Sequence, residues 1–453
     1  KSTVIRLAST TETVPFVVTM DLELLEMICV RNFKSFMCRG LTMMVGKMHP
    51  FLGKAIIYAD GGQWKSMRNT VASGFSAAKL KLMMPLLEDD VGVLLNLLDE
   101  RAKPGEEVDM LYEYEQLALD FIFRGSFGFD ERFQGRSDHP FEVTAKSASR
   151  KLMTGSLHMV AQSTTSFGPL AKPLSWLSLV LDDVDKVAQE TGKIIEVRRR
   201  DRSYRKPDIL QNLLDAKHVD DEGHNEMTSR SKVKAKSRSL TTAEVITSAV
   251  TLFVAGYETI ATSLSYVTFV LAKYPDVQEK VRQEIKDVLG DEDKLGFETL
   301  MKKLVYLDQV IYETFRLYPP GLIFVTRKAK RDFEFKGTRF KAGTCFMAPL
   351  YQIQRDPRFW KDPLQFNPDR FAPECEQELN KDAFMPFGMG PRYCIGKNMA
   401  MLKLKLVLSK LLQRYHLELG PSQMGVMKIA SRAMLSAPVN GPWIILRRLQ
   451  EPF

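Results

Sequence analysis

The chain has 453 residues, of which 45% are hydrophobic, so it can bury a large core as one body or as about three units. Its formal net charge is +9, but lysine and arginine are mixed with 55 acidic residues. This pattern excludes a basic nucleic-acid-binding arm and favours an acidic partner or an anionic membrane surface. The cysteines are scattered without a Cys-x-x-Cys pair, so the sequence predicts neither a disulfide framework nor a zinc site and indicates a reducing compartment.

The N-terminal segment has the alternation of a β-hairpin. Residues 3–8 and 14–20 predict two strands around a polar turn, and residues 21–30 predict a helix. No run of about 18 uninterrupted apolar residues occurs in the sequence, so no transmembrane helix is predicted within it.

Residues 39–58 contain glycine, proline and methionine without a regular period. The flexible thioethers of this segment suit an adaptable apolar pocket wall, and an ordinary loop packed on the core is an equal alternative. Trp64 and Arg68 follow at a separation of four residues, which places them on one face of a helix. Such a pair usually lies on the surface.

Apolar residues at helical spacing predict two core helices, at residues 80–101 and 108–127. The pattern loosens in residues 141–200, which end in the cluster of three arginines at positions 198–200. That cluster predicts either a solvated helix end or a basic face resting on a bilayer. Residues 219–238 are charged and lack aromatic side chains, so they predict an exposed connector.

A long helix follows this connector. Thr241 and Glu244 have the spacing of a capping box, and no proline occurs until Pro275. A helix of about 30 residues spans roughly 45 Å, so it must cross the whole molecule.

Inside this helix lies Gly256, which costs about 1 kcal/mol relative to alanine and therefore calls for a reason. One reason is that a flat cofactor or bound O2 can approach the backbone there. Glu258 and Thr259 could then relay protons to a reduced oxygen species as general acids. The alternative is that Gly256 packs against another helix and Glu258 faces solvent.

Glu313 and Arg316 lie on one face of a helix in apolar surroundings. Because a buried ion pair needs further hydrogen-bond partners, we expect additional groups around it. Residues 333–335 and 338–346 alternate around glycines and predict short strands.

Cys394 lies in the glycine-rich segment 387–396, directly before the apolar helical pattern of residues 397–412. The glycines permit positive φ and close approach of the backbone to another group. The helix N-terminus, free amides and Arg392 should lower the pKa of the Cys394 thiol, and the resulting thiolate can ligate a metal or act as a nucleophile. A free buried cysteine in a turn is the alternative.

The segment Phe387-x-x-Gly390-x-Arg392-x-Cys394-x-Gly396 resembles the haem-binding signature of the cytochrome P-450 superfamily, the haem-thiolate monooxygenases. Every position of that ten-residue pattern is matched, and such a match rarely arises by chance.

Three further segments resemble motifs of the same family. Residues 255–259, Ala-Gly-Tyr-Glu-Thr, match its oxygen-activation motif. Glu313 and Arg316 match the E-x-x-R motif, and residues 367–371, Asn-Pro-Asp-Arg-Phe, match the P-E-R-F element whose arginine, here Arg370, completes a structural triad.

By this resemblance Cys394 is the proximal ligand of a haem iron, and thiolate donation would favour O–O cleavage. Phe387 would pack beside the sulfur, while Arg392, Trp64 and Arg68 would reach the haem propionates. The other residues that the resemblance places against haem are Arg39, Arg327, Pro386, Gly396, Ala255 and Gly256.

The resemblance makes Thr259 and Glu258 the catalytic candidates. Thr259 would hydrogen-bond the distal oxygen of bound O2, and Glu258 would connect to water. Gln354 stands where the family usually has histidine before Arg-Asp-Pro. We expect that departure to weaken only a minor structural hydrogen bond.

The implied fold is mainly α with small β-sheets (α+β), the cytochrome P-450 fold, with a long central helix across a b-type haem and the thiolate loop on its proximal side. One domain is expected over residues 1–453, with a β-rich part at about 1–60, 320–350 and the C-terminal strands, and a helical body at about 61–319 and 397–415. Because family members have a further helix, or in microsomal members a membrane anchor, before the hairpin, we expect such a piece to be missing from the sequence.

The implied reaction uses O2 and two electrons, which come from NADPH through a flavoprotein reductase or a ferredoxin-type donor, to hydroxylate a lipophilic substrate. The segments expected to line its pocket are mostly apolar, which favours a sterol or steroid-like lipid. These segments are residues 43–52, 249–255, 320–325 and 433–437. The alternatives are broad oxidation of xenobiotics or fatty acids, an O2-independent haem-thiolate isomerase or dehydratase, a haem-based gas sensor, and a role for Cys394 without haem.

An acidic electron donor could be steered to lysines on the thiolate side, and the candidates are Lys65, Lys397, Lys403 and Lys405. The family also implies a monomer on the cytosolic face of the endoplasmic reticulum membrane, without a nucleic-acid partner.

Overall fold

The computed structural model describes residues 4–7, 16–40, 54–136, 140–154, 173, 177, 183–201, 203–215, 217–219, 237–290, 295–423, 425–432 and 434–450. The helices of this part of the chain are α1 (Leu22–Glu26), α2 (Gly61–Ala72), α3 (Ala77–Arg101), α4 (Met110–Phe123), α5 (Pro140–Thr154), α6 (Val184–Arg200), α7 (Ile209–Asp215), α8 (Thr242–Lys273), α9 (Pro275–Leu289), α10 (Phe297–Lys302), α11 (Val305–Leu317), α12 (Leu350–Ile353) and α13 (Lys397–Arg414). Its strands are β1 (Val4–Leu7), β2 (Phe16–Thr19), β3 (Glu107–Asp109), β4 (Lys217–Val219), β5 (Ser237–Ser239), β6 (Thr326–Lys328), β7 (Phe333–Phe335), β8 (Thr338–Phe340), β9 (Cys345–Met347), β10 (Tyr415–Leu419), β11 (Ile429–Arg432), β12 (Leu435–Pro438) and β13 (Trp443–Arg448).

Helix α8 is the long helix that the sequence predicts. The capping box at its start is confirmed: the Glu244 amide donates to Thr241 Oγ1 at 3.2 Å, and the Thr241 amide donates to the Glu244 carboxylate at 2.8 Å. The helix ends at Lys273, before Pro275, because proline cannot continue the helical hydrogen bonds.

The core of the molecule surrounds α8, which packs against α4, α6, α11 and α13. A buried hydrogen bond of 2.7 Å joins the hydroxyls of Tyr114 on α4 and Thr268 on α8. Among the described helices, α8 is the one with the length and hydropathy to cross a membrane, but 61% of its most apolar window is buried inside the molecule. Its contacts therefore identify it as a core helix.

A four-stranded sheet in the order β1-β2-β9-β6 brings the N-terminal hairpin beside residues 326–347. Strand β2 pairs with β1 in antiparallel and with β9 in parallel orientation, with Phe16 opposite Cys345. The predicted hairpin is thus confirmed. The other sheets of the described chain are β10-β13-β3, β11-β12, β7-β8 and β4-β5.

Several element boundaries differ from the sequence prediction, and two of these differences affect the strands. The helix expected from residue 108 begins at Met110, because Val108 pairs with Ile444 in a sheet and the Asp109 side chain caps the helix by accepting from the Leu111 amide at 3.1 Å. The strand expected at residues 338–346 is divided between β8 and β9.

The arginine cluster at the end of α6 is divided, because Arg198 is buried whereas Arg199 and Arg200 are exposed. Arg198 is buried and donates to both carboxylate oxygens of Asp208, at 2.7 and 2.5 Å. Arg199 donates to Thr242 Oγ1 at 2.8 Å and so fastens α6 to the start of α8. Both predictions are therefore wrong for Arg198, whereas the exposed Arg199 and Arg200 agree with a solvated helix end. Most of the connector predicted at residues 219–238 lies outside the described residues.

Candidate active site

A cavity of about 310 Å³ lies between α8 and the loop that carries Cys394. Its lining includes Ile56 and Ile57 from the segment before α2, and Thr251, Leu252, Val254 and Ala255 from α8. Residues 320–325 and the β11–β12 turn contribute Pro320, Gly321, Phe324, Val325, Met434 and Leu435. Three of the four predicted pocket segments thus reach the cavity, and the fourth, residues 43–52, lies outside the described residues.

The Cys394 loop is closed by its own backbone. The Cys394 amide donates to the Phe387 carbonyl at 2.7 Å, and the Tyr393 amide donates to the Gly390 carbonyl at 2.9 Å. Gly390 has φ +65°, and a side chain there would overlap the carbonyl oxygen of Cys29. The loop therefore needs glycine at this position to press against the N-terminal segment, and Cys394 is left accessible from the cavity.

The environment of the Cys394 thiol differs from the sequence prediction. Burial raises the pKa of Cys394, and the opposing effects of the Gly396 amide and of the charges on Arg68, Arg39 and Lys397 do not outweigh it. The neighbouring amide and cations therefore do not by themselves favour the thiolate here. A metal cation would, because coordination removes the proton from a thiol.

Four arginines gather beside this loop, and they contact main-chain carbonyls. Arg392 donates to the Met37 carbonyl at 2.8 Å, and its guanidinium carbon lies 4.6 Å from the centre of the Trp64 ring. Arg68 donates to the Tyr393 carbonyl at 2.9 Å. Arg39 donates to the carbonyls of Phe324 and Arg392. The fourth, Arg327, donates to the Met389 carbonyl at 2.8 Å.

These guanidinium groups lack ionic partners: within the described ranges, none forms an ion pair with a carboxylate. Burial, with the charge of neighbouring Arg327 next, lowers the pKa of Arg39 to about 9 and that of Arg392 to about 10. The Nε atoms of Arg39 and Arg327 are buried without a hydrogen-bond partner in that part of the chain. The cluster is therefore suited to an anion that carries more than one carboxylate, as haem does with its two propionates.

Of the predicted haem contacts, Arg39, Trp64, Arg68, Ala255, Pro386, Phe387, Arg392 and Cys394 line the cavity together with Thr259. Thr259 Oγ1 donates to the Ala255 carbonyl at 2.7 Å, so its lone pairs remain available to a ligand. The sequence analysis missed Ser263, which also lines the cavity. Its position four residues after Thr259, one helical turn further on the same face, is the signal that could have identified it.

The resemblance places Gly256 against the haem and makes Glu258 a catalytic candidate. In the structure, neither residue lines the cavity. A Cβ on Gly256 would lie 3.3 Å from the Cδ1 atom of Ile122 on α4, so this glycine packs against another helix. Glu258 is buried and accepts a hydrogen bond of 2.9 Å from Ser149 on α5. For Gly256, the structure agrees with the alternative that it packs against another helix. Glu258 was expected to face either the cofactor or solvent, and its side chain faces neither.

Arg327 and Gly396 also lie behind the cavity wall. Arg327 is only 1% exposed and holds the Thr326 and Met389 carbonyls, so its effect on the cavity is exerted through its charge. Gly396 contributes its amide, which opposes but does not outweigh the rise that burial causes in the pKa of Cys394.

The predicted structural triad is confirmed behind the Cys394 loop. Arg316 donates to both oxygens of Glu313, at 2.7 and 2.8 Å, and Arg370 donates to the same carboxylate at 3.3 Å. Gln354, which stands where the family usually has histidine, is fully buried. Its amide nitrogen donates to the Phe315 and Arg316 carbonyls at 2.9 and 3.1 Å, so the glutamine has a structural role of its own at this position.

Two of the four predicted docking lysines are not on the surface. Lys403 and Lys405 are 3% and 1% exposed. Lys405 pairs with Asp308 at 2.6 Å, and the Lys403 ammonium lies 5.1 Å from the centre of the Phe121 ring. Lys65 is exposed and Lys397 is partly exposed, so these two remain candidates.

Comparison with known proteins identifies the family. The family model for Cytochrome P450 matches residues 8–443. The chain is 29% identical over 426 residues to cytochrome P450 3A6 of Oryctolagus cuniculus, across 93% of this chain and 81% of the relative. It is 30% identical over 452 residues to thromboxane-A synthase of Sus scrofa, across 94% and 83%, and 29% identical over 422 residues to cytochrome P450 3A2 of Rattus norvegicus, across 93% and 80%.

Proteins of this family are oxidoreductases that contain haem b and receive electrons from NADPH through a partner. The residues around the cavity fit that cofactor: Cys394 offers a thiolate ligand, the arginine cluster offers uncompensated positive charge, and the remaining wall is mostly apolar. The mainly α fold with small separate sheets agrees with this assignment. The chain belongs to the cytochrome P450 family and is a haem-containing monooxygenase.

Proposed function

We propose that the protein hydroxylates a lipophilic substrate, with a sterol or steroid-like lipid as the best candidate. The observation that carries this proposal is the distribution of polarity in the cavity. The arginines lie beside Cys394, whereas α8, the loop after α11 and the β11–β12 turn present aliphatic and aromatic groups such as Val254, Phe324 and Met434 with the hydroxyl of Thr251. A rigid apolar body with few polar groups suits such walls.

In this proposal, haem supplies the chemistry of O2 activation when bound, and Cys394 holds its iron. Arg39, Arg68 and Arg392 hold its carboxylates, and Trp64 supports Arg392 through its ring. Thr259 presents Oγ1 to the cavity, where it can hold a proton or a water molecule. Because the Glu258 carboxylate lies behind α8 on Ser149, it acts on the site only through other groups.

Electrons are proposed to come from an NADPH-dependent flavoprotein reductase, with a ferredoxin-type donor as the alternative. Lys65 and Lys397 are the lysines that such an acidic protein could approach. The cytosolic face of the endoplasmic reticulum membrane is the proposed location, and it rests on the family alone.

The second candidate is O2-independent isomerase or dehydratase chemistry at the same cysteine. It is favoured by one observation: the only carboxylate of residues 255–259 is turned away from the cavity, so no acid of that segment stands ready to protonate a reduced oxygen species. Substrate-dependent consumption of O2 and NADPH with added reductase separates the two candidates.

The test of the proposed function starts with the absorption spectrum of the purified protein after reduction and exposure to carbon monoxide. We expect a strongly red-shifted Soret band in the wild type and its loss in Cys394→Ala. A screen of sterols, fatty acids and drug-like compounds then follows by spectral titration. A colourless protein would overturn haem binding, and a histidine-type band unchanged by the substitution would overturn thiolate ligation. Preference for fatty acids or for many unrelated drugs would overturn the sterol assignment.

A further inference from the structure

Two segments of the cavity wall, the loop after α11 and the β11–β12 hairpin, are joined to each other by their backbones. The Leu322 amide donates to the Met434 carbonyl at 2.8 Å, and the Ser436 amide donates to the Pro320 carbonyl at 2.9 Å. Between these bonds Gly321 and Leu435 form an isolated β-bridge. The loop after α11 and the β11–β12 hairpin therefore form one unit.

This unit carries the apolar surface that we call the roof, defined by Pro320, Gly321, Phe324, Met434 and Leu435, all of which line the cavity. Met434 and Leu435 belong to a small apolar cluster that is separate from the main core. Because Met434 and Leu435 lie outside the main core, we expect the position of the roof to depend on its hydrogen bonds to neighbouring elements.

One buried chain of hydrogen bonds fastens the roof to α8. The Tyr266 hydroxyl on α8 donates to Ser436 Oγ at 3.0 Å, and Ser436 Oγ donates to the Pro319 carbonyl at 2.7 Å. Tyr266 is fully buried, and Ser436 is 3% exposed. A single hydroxyl thus connects the long helix, the loop and the hairpin, although neither Tyr266 nor Ser436 lines the cavity.

We propose that Tyr266 and Ser436 are positioning residues that set the distance between the roof and the haem side of the cavity, and thereby the fit of a bulky apolar ligand. This inference rests on the proposed function, because it takes the roof as the surface that contacts the substrate. Neither residue touches the ligand. Both act by holding residues that do.

The experiment compares two probes in the haem-loaded protein by absorption titration. Imidazole needs only access to the iron, whereas 4-phenylimidazole also needs room for a phenyl ring within the cavity. We expect Tyr266→Phe and Ser436→Ala to reduce the preference for 4-phenylimidazole over imidazole by five- to tenfold and to leave the dissociation constant of imidazole unchanged.

A matched control is Tyr114→Phe, which removes a buried hydroxyl bonded to Thr268 on the same helix, away from the cavity. It should leave the preference unchanged. An unchanged preference in both test variants would overturn the proposal. An equal loss in Tyr114→Phe would do so as well, because the effect would then reflect general loosening.

A second measurement does not depend on haem. Hydrogen exchange of peptides that contain the Leu322 and Ser436 amides should be faster in Tyr266→Phe than in Tyr114→Phe, and unaltered exchange would overturn the proposal. If neither probe shifts the absorption spectrum of the wild type, the proposed haem function fails, and the exchange result still decides whether the hydroxyl chain holds the roof.

Discussion

Buried cations occur in two different settings in this protein. The arginines beside Cys394 donate to main-chain carbonyls, and Arg39, Arg68 and Arg392 face a cavity where an anion can be held. Lys403, in the middle of α13, does not line that cavity, and the contact described for its ammonium group is the ring of Phe121. Taking an ammonium group out of water without a partner is costly, so this lysine should favour its neutral form.

We expect Lys403→Met to raise the stability of the protein at pH 7 and to remove part of its pH dependence. Burial lowers the pKa of Lys403 to about 7. Between this value and the unfolded pKa of about 10.4, the unfolded chain holds a proton that the folded chain lacks. The free energy of unfolding of the wild type should therefore rise with pH across this range, by at most about 1.4 kcal/mol per pH unit, and should carry the full penalty below pH 7.

Urea denaturation from pH 6.5 to 10 measures this difference. The curve of Lys403→Met should be flatter than that of the wild type and should lie above it at pH 7. Lys65→Met, at an exposed position, is the control and should run parallel to the wild type. Parallel curves for all three proteins would show that Lys403 titrates normally.

At the scale of a single element, α8 shows why a helix motif can be found in the sequence while its orientation cannot. The capping box and the absence of proline are local features, and both predicted the helix correctly. Which residues of 255–259 face the cavity depends on the rotation of the helix, which its packing against α4 and α5 decides. That rotation directs Ala255 and Thr259 to the cavity and Gly256 towards Ile122.

We therefore expect Gly256→Ala to leave the haem site intact. The new methyl group would meet the flexible end of Ile122 at 3.3 Å, and the gain in helix propensity of about 1 kcal/mol should offset that crowding. The free energy of unfolding should change by less than about 1 kcal/mol, and the carbon monoxide spectrum should not change. Ala255→Leu, which fills the cavity instead, is the contrasting variant and should weaken imidazole binding. Loss of haem in Gly256→Ala would restore the interpretation that this glycine admits the cofactor.

Helix α13 and strand β3 show that local sequence patterns do not reveal contacts with distant parts of the chain. The sequence makes Lys403 and Lys405 candidates for docking an acidic electron donor, but both are buried in the structure. Asp308 on α11 and Phe121 on α4 surround them, and both come from elements far away in the chain. In the same way, Val108 joins a strand because its partner Ile444 lies near the C-terminus.

At the scale of the whole molecule, the site is assembled from segments that are distant in sequence. The Cys394 loop packs against the main chain of Cys29, and the arginine cluster consists of residues 39, 68, 327 and 392. The sequence could predict the cysteine, the triad and most of the cavity contacts because each belongs to a motif with fixed spacing. It could not predict the hydroxyl chain from Tyr266 to the roof, since that chain has no local pattern.

Gln354 connects the confirmed triad to the Cys394 loop across the proximal half of the molecule. Its side-chain nitrogen binds the last carbonyls of α11, while its side-chain oxygen accepts from the Met385 amide at 3.4 Å, just before the loop. Its main-chain carbonyl accepts from Arg316 at 2.8 Å. A single glutamine thus holds both the helix end and the entry to the loop.

We expect Gln354→Ala to lower stability and also to accelerate the loss of haem. The matched control is Gln278→Ala, because Gln278 is equally buried and bonds the Leu271 and Leu417 carbonyls and the Leu417 amide at 2.9 to 3.0 Å, without a contact to the loop. Each substitution leaves buried polar groups unpaired and should cost roughly 1–3 kcal/mol in urea denaturation. Transfer of haem to excess apomyoglobin should be faster only for Gln354→Ala, since only this variant frees the Met385 amide. Equal transfer rates in the two variants would mean that the Cys394 loop is held by its own backbone hydrogen bonds and by Cys29 rather than through Gln354.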